Sequence, residues 1–464
     1  MKRSPVFAFA VLAAALAAGA CADGTQSTAV QAPDGAPAYS SAPTETGNHV
    51  VEFSADAVPA GFAARVAQLG GTVVNTWGGA GIAVVSGLSP QGVAQLAASS
   101  GVSYVQPDVR IRGVEPTVGT ATAASVGANS PTFPNTAFFY ARQWNMRAVG
   151  ADVAWAAGYL GSPGVKVAIL DTGIDYEHPD LAGRVDLASS ASFVPSDDSL
   201  VAEYFPGKHP VTDLQYHGTH VAATVASNAV AAAGVTSQTT LIGVKVLAVD
   251  GYGSFSAILA GIIWAADHDA DVINMSLGGY FDRREARDLV RAIRSASRYA
   301  RKQGALIVVS AGNDAIDLDN NGTEYAAFCD APHVVCVSAT GPTASGGTNG
   351  PWTNVDALAS YSNYGRHSIS VAAPGGTGFG YVSAACSSTS LVIPVCQTGS
   401  YVIGLAGTSQ AAPHVSGLAA LLVAQRGHGK PNQVRNEIRR GTDNVGPREY
   451  FGRGRINVPE TLGL

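Results

Sequence analysis

The sequence predicts an α/β fold, in which a parallel sheet carries helices on both faces and a small α+β domain precedes it. From about residue 138 onward, apolar runs such as VKVAIL, DVINMSLGG and ALIVVSAGN alternate with helical stretches. Strands that are apolar throughout are typical of a parallel sheet buried on both faces. The sequences DTG, SLGG and AGN end these runs. In such sheets, functional residues lie at the carboxyl ends of the strands, which is where these sequences occur.

Residues 48–112 have the pattern of a smaller sheet. HVVEFSA, TVVNTW, GIAVVSGL and VSYVQPD are β-rich runs, and two helical stretches lie between them. Phe62, Val66 and Leu69 have helical spacing, while Ser89 and Pro90 are typical of a helix start. The resulting order β-α-β-β-α-β is that of a split-βαβ sheet.

Residues 1–20 have the layout of a secretory signal peptide. A charged MKRS precedes the apolar run VFAFAVLAAALAA and a few small residues. The run is too short to predict a membrane span. Two fates stay open at its end: cleavage after Ala20, or acylation of Cys21 as in bacterial lipoproteins. Both predict export from a bacterium, with a secreted, periplasmic or lipid-anchored product.

Two further segments have the composition of linkers. Residues 21–47 lack Leu, Ile and Phe and are predicted to be disordered. Residues 113–137 are rich in Thr, Ala, Ser and Pro. An exposed linker at 113–137 would be open to proteolysis.

Charge and cysteine content narrow the choice of partners and compartment. The net charge of −6 argues against nucleic acid or an anionic membrane surface as a partner. Beyond Cys21 the cysteine count is even, which favours disulfides in an exported chain. Of three possible arrangements, pairing of sequence neighbours is the simplest, and metal binding is the weaker alternative. The residues are Cys329, Cys336, Cys386 and Cys396.

Four polar residues at strand or helix ends are candidates for chemistry. Asp171 ends AILD, His217 begins HGTH, Asn313 follows VVSAG, and Ser409 lies at a predicted helix start. Taken singly, they could be turn residues, a core histidine and a helix cap. The order Asp…His…Ser, however, is one of three convergent arrangements of a catalytic triad. A hydroxyl at a helix start also lies near unpaired N–H groups that can hold an oxyanion.

Several motifs together resemble the subtilisin-like serine proteases (subtilases), in family order over about residues 138–464. They include ILDTGIDYEHPDL, HGTHVAATVA, VVSAGN and GTSQAAPHVSGLAALL. The resemblance implies a subtilisin-like three-layer fold for 138–464. It also implies an inhibitory propeptide, ferredoxin-like in fold, for 48–112. The sequence departs from the family pattern at Ala223, where glycine is usual, and at Gln410, where methionine is common.

The activity that the resemblance implies is that of a zymogen of a serine endopeptidase. It hydrolyses polypeptides through an acyl-enzyme, needs no cofactor for its chemistry and acts as a monomer. Ser409 is the nucleophile, His217 the general base and Asp171 its partner, while Asn313 and the Ser409 N–H hold the oxyanion. The propeptide is an intramolecular inhibitor, lost when the enzyme cuts itself within 113–137.

The resemblance also assigns substrate-binding residues. An acidic group near the P1 side chain would favour basic P1 residues, and Asp314 is expected there. Two extended segments are expected to flank the substrate backbone, and they contain Gly251, Gly253, Ser276, Leu277 and Gly278.

Structural calcium is an open alternative to ordinary surface loops. By resemblance, Asp180 matches a calcium ligand of the family. The stretch DLDNNG has the spacing of a calcium loop at Asp317, Asp319 and Asn321, although Phe328 stands where a bidentate glutamate is expected.

Two functions from other classes compete with the protease. One is a tethered binding protein on an inactive protease scaffold. The other is a metal hydrolase that uses His217 and His220, although H-E-x-x-H and a third ligand are missing.

Overall fold

The computed structural model describes residues 44–113, 115–124, 130–284, 286–399 and 401–464. These residues all belong to one compact unit, Ala36–Leu464. The predicted signal peptide, Cys21 and the first linker up to residue 43 lie outside the described residues.

The N-terminal part forms a four-stranded antiparallel sheet with two helices. Its strands run in the order β2-β3-β1-β4, and its order along the chain is the predicted β-α-β-β-α-β. Phe62, Val66 and Leu96 of the helices pack against Val51 and Val85 of the sheet. The elements are β1 (Glu45–Phe53), α1 (Phe62–Gln68), β2 (Thr72–Trp77), β3 (Ile82–Ser86), α2 (Pro90–Ala97) and β4 (Val102–Arg112).

The rest of the chain carries the larger sheet and its helices. Its first half comprises β5 (Thr117–Ala123), α3 (Trp144–Ala148), α4 (Ala151–Ala156), β6 (Lys166–Asp171), β7 (Ala191–Ser192), α5 (Pro195–Tyr204), α6 (His217–Val225), β8 (Thr240–Lys245), β9 (Tyr252–Ser254), α7 (Phe255–Asp267), β10 (Val272–Met275), β11 (Tyr280–Asp282), α8 (Arg287–Lys302) and β12 (Leu306–Ser310). Its second half comprises β13 (Glu324–Ala326), β14 (Val335–Gly341), β15 (Ala344–Ser345), β16 (Trp352–Thr353), β17 (Ala357–Leu358), β18 (Val371–Pro374), β19 (Val382–Cys386), β20 (Tyr401–Ala406), α9 (Thr408–Arg426), α10 (Pro431–Arg440), β21 (Thr442–Asp443), α11 (Arg448–Phe451), β22 (Arg455–Ile456) and α12 (Val458–Leu462).

The large sheet is buried on both faces, as the sequence predicts. Its order is β21-β22-β18-β14-β12-β10-β6-β8-β7, and neighbours from β18 to β8 are parallel. Along β6, Val167 and Ile169 face a core shared with α6 and α9. Ala168 and Leu170 face a second core shared with α7 and α8. This alternation produces the three layers.

The N-terminal sheet joins the large unit through backbone and side-chain contacts. Strand β4 pairs with β9, with Ile111 opposite Gly253. The fully buried Asp108 accepts hydrogen bonds from the Ser256 N–H (2.8 Å) and hydroxyl (2.7 Å) at the start of α7. A carboxylate is favoured there by the helix dipole.

Residues 113–137, expected to be a linker, contain a regular element. Strand β5 pairs antiparallel with β20 and forms one edge of the sheet β19-β20-β5. Its sequence, TVGTATA, has no apolar periodicity. The strand therefore depends on pairing with its neighbour, which local sequence does not reveal.

The cysteines pair with their sequence neighbours. The Cα atoms of Cys329 and Cys336 are 5.1 Å apart, and those of Cys386 and Cys396 are 6.0 Å apart. The second pair fixes the loop that leads from β19 to β20. Among the described residues, no helix has both the length and the apolar character needed to cross a membrane.

Candidate active site

The candidate residues gather at the carboxyl edge of the large sheet. Strands β12, β10 and β6 are neighbours in that order, and Asn313, Ser276 and Asp171 lie at or just after their ends. Helices α6 and α9, which begin with or near His217 and Ser409, pack against each other. Residues far apart in sequence therefore share one edge of the fold.

Asp171 and His217 form a buried hydrogen-bonded pair. The Asp171 Oδ1 lies 2.8 Å from the His217 Nδ1 and also accepts the Thr172 N–H at 2.8 Å. The relative exposures of Asp171 and His217 are 0% and 3%. This geometry fixes the imidazole ring and places the proton on Nδ1 when the ring is neutral.

The electrostatics of the pair favour proton uptake by His217. Burial opposes the charged imidazolium, but the negative charge and hydrogen bond of Asp171 outweigh it, so the pKa of His217 is raised. The His217 Nε2 has no hydrogen-bond partner among the described residues. That nitrogen is thus the one left to exchange a proton with another group.

A second buried carboxylate, Asp213, sets the start of α6, and sequence reasoning missed it. It accepts hydrogen bonds from the Gln215 N–H, the Thr219 N–H and the Thr172 hydroxyl, at 3.0, 3.0 and 2.9 Å. Thr172 also accepts the Gly218 N–H at 2.9 Å. Asp213 therefore ties the first turn of α6 to the end of β6. The acidic residue four positions before His217 was the available signal.

Ser409 is the second residue of α9 rather than its cap. The helix begins at Thr408 after Gly407, with no side-chain cap. Ser409 is fully buried, and its hydroxyl donates to the Ser276 carbonyl at 3.2 Å. The Ser276 hydroxyl donates in return to the Ser409 carbonyl at 2.8 Å. The predicted substrate residue Ser276 is thus in direct contact with Ser409.

Asn313 has its side-chain amide oriented by Thr408. Its Oδ1 accepts the N–H and the hydroxyl of Thr408, both at 2.9 Å. Its Nδ2 is thereby aimed outward and donates to the Glu115 carbonyl at 2.9 Å. A backbone carbonyl of the chain itself therefore lies against an amide donor beside the start of α9.

The chain's own segment occupies the cleft on both sides of this contact. Before Glu115, the Gly113 N–H donates to the Gly251 carbonyl at 2.8 Å, and Ile111 lies opposite Gly253. After it, β5 continues along β20. Gly251 and Gly253, which the sequence analysis assigns to substrate binding, thus lie beside an extended segment of this chain. Leu277 is a core residue, and Gly278 is partly exposed.

Asp314 lies half-buried next to Asn313. Its Oδ2 accepts the Tyr280 hydroxyl at 2.6 Å, and its N–H donates to the Asn363 Oδ1 at 3.0 Å. Burial raises the pKa of Asp314, the hydrogen bond from Asn363 lowers it, and nearby Glu324 raises it further. The Asp314 carboxyl therefore lies in a partly buried, hydrogen-bonded setting beside Asn313.

The two residues that depart from the family pattern, Ala223 and Gln410, lie in different surroundings. Ala223 is a core residue of α6. The fully buried Gln410 lies next to Gly407, and neither end of its amide has a hydrogen-bond partner among the described residues. Such unpaired groups cost about 1–3 kcal/mol each, and nothing in the structure explains that choice.

The predicted calcium ligand Asp180 does not fit a cation. Its Oδ1 accepts the N–H groups of Val230 and Ala231 at 2.8 Å, and its Oδ2 accepts that of Ala232 at 3.0 Å. These backbone donors occupy both carboxylate oxygens. The N–H groups of the loop NAVAAA therefore stabilise the Asp180 carboxylate, in the place that a bound calcium ion would take.

The DLDNNG loop is likewise internally bonded, which favours the surface-loop alternative. Asp317 accepts the Asp319 N–H at 3.0 Å, and Asp319 accepts the N–H groups of His367 (2.8 Å) and Ser368 (3.1 Å). The Nδ2 of the third predicted ligand, Asn321, has no hydrogen-bond partner among the described residues. The described part of the chain contains no group of three or more His, Cys, Asp or Glu that could hold a metal ion.

His220, the other half of the metal alternative, is part of the core. Its Nε2 lies 3.0 Å from the Val382 carbonyl, and burial lowers its pKa to about 3. The ring is therefore neutral and hydrogen-bonded to the backbone of β19.

Comparison with known proteins identifies the family. Residues 162–454 match the family described as the Subtilase family. The chain belongs to the subtilases. Subtilisin DY from Bacillus licheniformis is 35% identical over 312 residues, which cover 67% of this subtilase and 94% of that protein. A thermophilic serine proteinase from Bacillus sp. (strain AK1) is 34% identical over 334 residues, 71% and 69% of the two chains.

Solved structures show the same fold. Fervidolysin from Fervidobacterium pennivorans, described as a keratinolytic enzyme related to subtilisin, matches with a TM-score of 0.68 at 24% identity, over 91% of this chain and 61% of that one. The epidermin leader peptide processing protease of Staphylococcus aureus matches with a TM-score of 0.70 at 22% identity, over 90% and 98%. The subtilisin-like fold predicted from the sequence is confirmed. The subtilase is a serine endopeptidase, and subtilases need no cofactor for catalysis.

Proposed function

We propose that this subtilase is an exported zymogen that hydrolyses peptide bonds through Ser409, His217 and Asp171 and matures by cutting itself. The observation that carries the proposal is the Glu115 carbonyl, 2.9 Å from the Asn313 Nδ2 beside the start of α9. A peptide lies in the cleft with a carbonyl on an oxyanion-type donor. The 2.8 Å bond between Asp171 and His217 supplies a general base at the same edge.

In the proposed reaction, the Ser409 Oγ bonds to the scissile carbonyl carbon while its proton passes to the His217 Nε2. Asp171 holds the Nδ1 proton and stabilises the imidazolium. The Asn313 Nδ2 and the Ser409 N–H hold the oxyanion of the tetrahedral intermediate. When that intermediate collapses, the C–N bond breaks and the amine takes the proton from His217. Water then repeats the sequence and releases the acid.

The zymogen part of the proposal is supported by how residues 44–113 and 115–123 are held. The sheet of β1 to β4 is anchored by Asp108 at the start of α7, and β4 pairs with β9. The segment that follows fills the cleft. An antiparallel strand on each side of the reactive centre excludes other polypeptides, so this arrangement suits an inhibitor that is also the first substrate.

Export and the fate of Cys21 rest on the sequence of residues 1–21. Growth with a labelled fatty acid separates the two alternatives, with Cys21→Ala as the control. If the wild-type protein carries the label and the Cys21→Ala protein does not, Cys21 is the site of a lipid anchor. An unlabelled protein found outside the cell shows simple cleavage.

We infer a preference for basic P1 residues from the half-buried carboxyl of Asp314. Glu115, the chain's own residue at that position, is acidic and pairs with Arg112 instead, so the preference applies to other substrates. Peptides that differ only in Lys, Leu or Glu at P1 test it. We expect kcat/KM to favour Lys over Leu by about tenfold, and Asp314→Asn to reduce that ratio, since a charged hydrogen bond contributes about 1.5–3 kcal/mol. Equal cleavage of the Lys and Leu peptides would contradict the inference.

Labelling with a fluorophosphonate tests the reaction against its competitors. The proposal expects one adduct, mapped to Ser409 by mass spectrometry and absent from Ser409→Ala. An inactive scaffold predicts no adduct and no peptide cleavage. A metal hydrolase predicts cleavage that survives Ser409→Ala, and that result would sink the proposal.

A further inference from the structure

The outer edge of β20 extends the cleft well beyond the reactive centre. Strand β20 runs from Tyr401 to Ala406 and leads directly through Gly407 into α9. Strand β5 pairs along it, with Thr117 opposite Ala406 and Ala123 opposite Tyr401. Since β5 follows Glu115 in the chain, it occupies the side from which a leaving group departs.

Backbone pairing, more than side-chain packing, holds β5 in place. Ala121 contacts the apolar cluster around Ile403, Leu405 and the Cys386–Cys396 pair, while Val118 is 37% exposed. Among the described strands, β20 is the one neighbour of β5 in its sheet. A strand held mainly by its main chain can be replaced by another extended polypeptide.

The other face of β5 borders a groove that its own side chains fill poorly. Thr120 and Thr122 line a cavity of about 540 Å³, large enough for several side chains. Phe379, at the rim, is 58% exposed. Aromatic and basic residues also line the cavity, namely Arg142, Trp144, Trp352 and Tyr381.

Arg142 gives the groove a chemical preference. Its Nη1 donates a long 3.4 Å hydrogen bond to the Thr122 hydroxyl, and its Nε has no hydrogen-bond partner among the described residues. The guanidinium stacks 4.1 Å from the centre of the Phe139 ring, which fixes its plane. A carboxylate at the position of Thr122 could accept two parallel hydrogen bonds from such a fork.

We propose that the outer edge of β20 and this groove form an extended subsite for the leaving-group half of polypeptide substrates, with a preference for an acidic residue at the position of Thr122. That position is seven residues after Glu115, whose carbonyl Asn313 holds. The inference rests on the proposed peptidase function. Strand β5 is a weak occupant of this subsite, because its threonine side chains fill little of the groove. Once the bond that precedes it is cut, a substrate displaces β5 from β20.

Matched peptides on the mature enzyme test the subsite. The peptides share all residues up to the second after the scissile bond and then extend for two or eight residues, with Asp, Thr or Lys at the position that matches Thr122. We expect kcat/KM to rise about tenfold or more from the short to the long Asp peptide, since a few net hydrogen bonds of about 1 kcal/mol suffice. The order among long peptides should be Asp, then Thr, then Lys.

Variants locate the effect. Arg142→Gln should reduce the Asp-to-Lys ratio at least severalfold, and Phe379→Ala, at an exposed rim position, should reduce the gain with length. Arg366→Gln, an exposed arginine outside the groove, should keep both ratios. If the short peptides are cleaved and the longer peptides show no gain in kcat/KM, the subsite is overturned and the peptidase function stands. The same conclusion holds if residues 117–123 stay bound to β20. Failure to cleave any peptide would overturn both.

Discussion

At the residue scale, Pro413 accounts for a contact that orders the candidate nucleophile. Proline lacks the N–H that would bond the carbonyl four residues earlier, which here belongs to Ser409. The Ser276 hydroxyl donates to that carbonyl instead, at 2.8 Å. The proline inside α9 thus frees an acceptor that ties the first turn of the helix to the end of β10. In the sequence Pro413 follows Ser409 by four residues, but the Ser276 hydroxyl that replaces its missing N–H is visible only in the structure.

Thr408 offers a residue-scale prediction, because its hydroxyl is used twice. It accepts the Gly312 N–H at 3.0 Å and donates to the Asn313 Oδ1 at 2.9 Å. We expect Thr408→Val to lower kcat by about tenfold or more with little change in KM, since the Asn313 amide loses its orientation, while Asn313→Ala costs about 100- to 1,000-fold.

Thr408→Ser is the matched control for that prediction, because it keeps the hydroxyl and should stay close to the wild type. Peptide kinetics on the three variants measure these effects. A Thr408→Val enzyme with the wild-type kcat would show that Thr408 does not position Asn313.

At the element scale, strands of the large sheet and both helices that carry His217 and Ser409 were predictable from apolar runs and family motifs. Strand β5 was not, because its alanine, glycine and threonine residues carry no period and it exists through pairing with β20. The role of Asp213, which ties the first turn of α6 to the end of β6, was also not predicted. Contacts between residues of different elements produce no regular spacing in the sequence.

The loop after α6 supplies the element-scale prediction. Asp180 accepts three backbone N–H groups from residues 230–232. In Asp180→Asn one of these donors would face an amide N–H, and we expect the free energy of unfolding to fall by about 1–3 kcal/mol. Urea unfolding of both proteins in the Ser409→Ala background, which prevents self-cleavage, measures the difference.

The control and the metal test use the same assay. Asp269→Asn, at an exposed aspartate, should leave the unfolding curve unchanged. Excess calcium and excess EDTA should give the same curve for the parent protein, because backbone donors already fill both Asp180 oxygens. A large loss of stability in EDTA would contradict this account of the loop.

At the scale of the whole molecule, the sequence predicted a small sheet before a large one, but not that they share backbone pairing. The helix-capping hydroxyl of Ser89 was predictable from local sequence. The contact of Asp108 with Ser256, far along the chain, was not. The cleft is likewise visible only in the folded molecule, where Gly113 contacts Gly251, Glu115 contacts Asn313 and residues 117–123 pair with β20. Under the proposed function, that segment takes part in inhibition, in maturation and in substrate binding.

N-terminal sequencing of the purified protein beside its Ser409→Ala form tests the central claim most directly. We predict a wild-type chain that begins within residues 114–118, where the segment passes Asn313, and a Ser409→Ala chain that retains residues 44–112. The same N-terminus in both proteins, or a wild-type start elsewhere in the chain, would contradict self-maturation at this site.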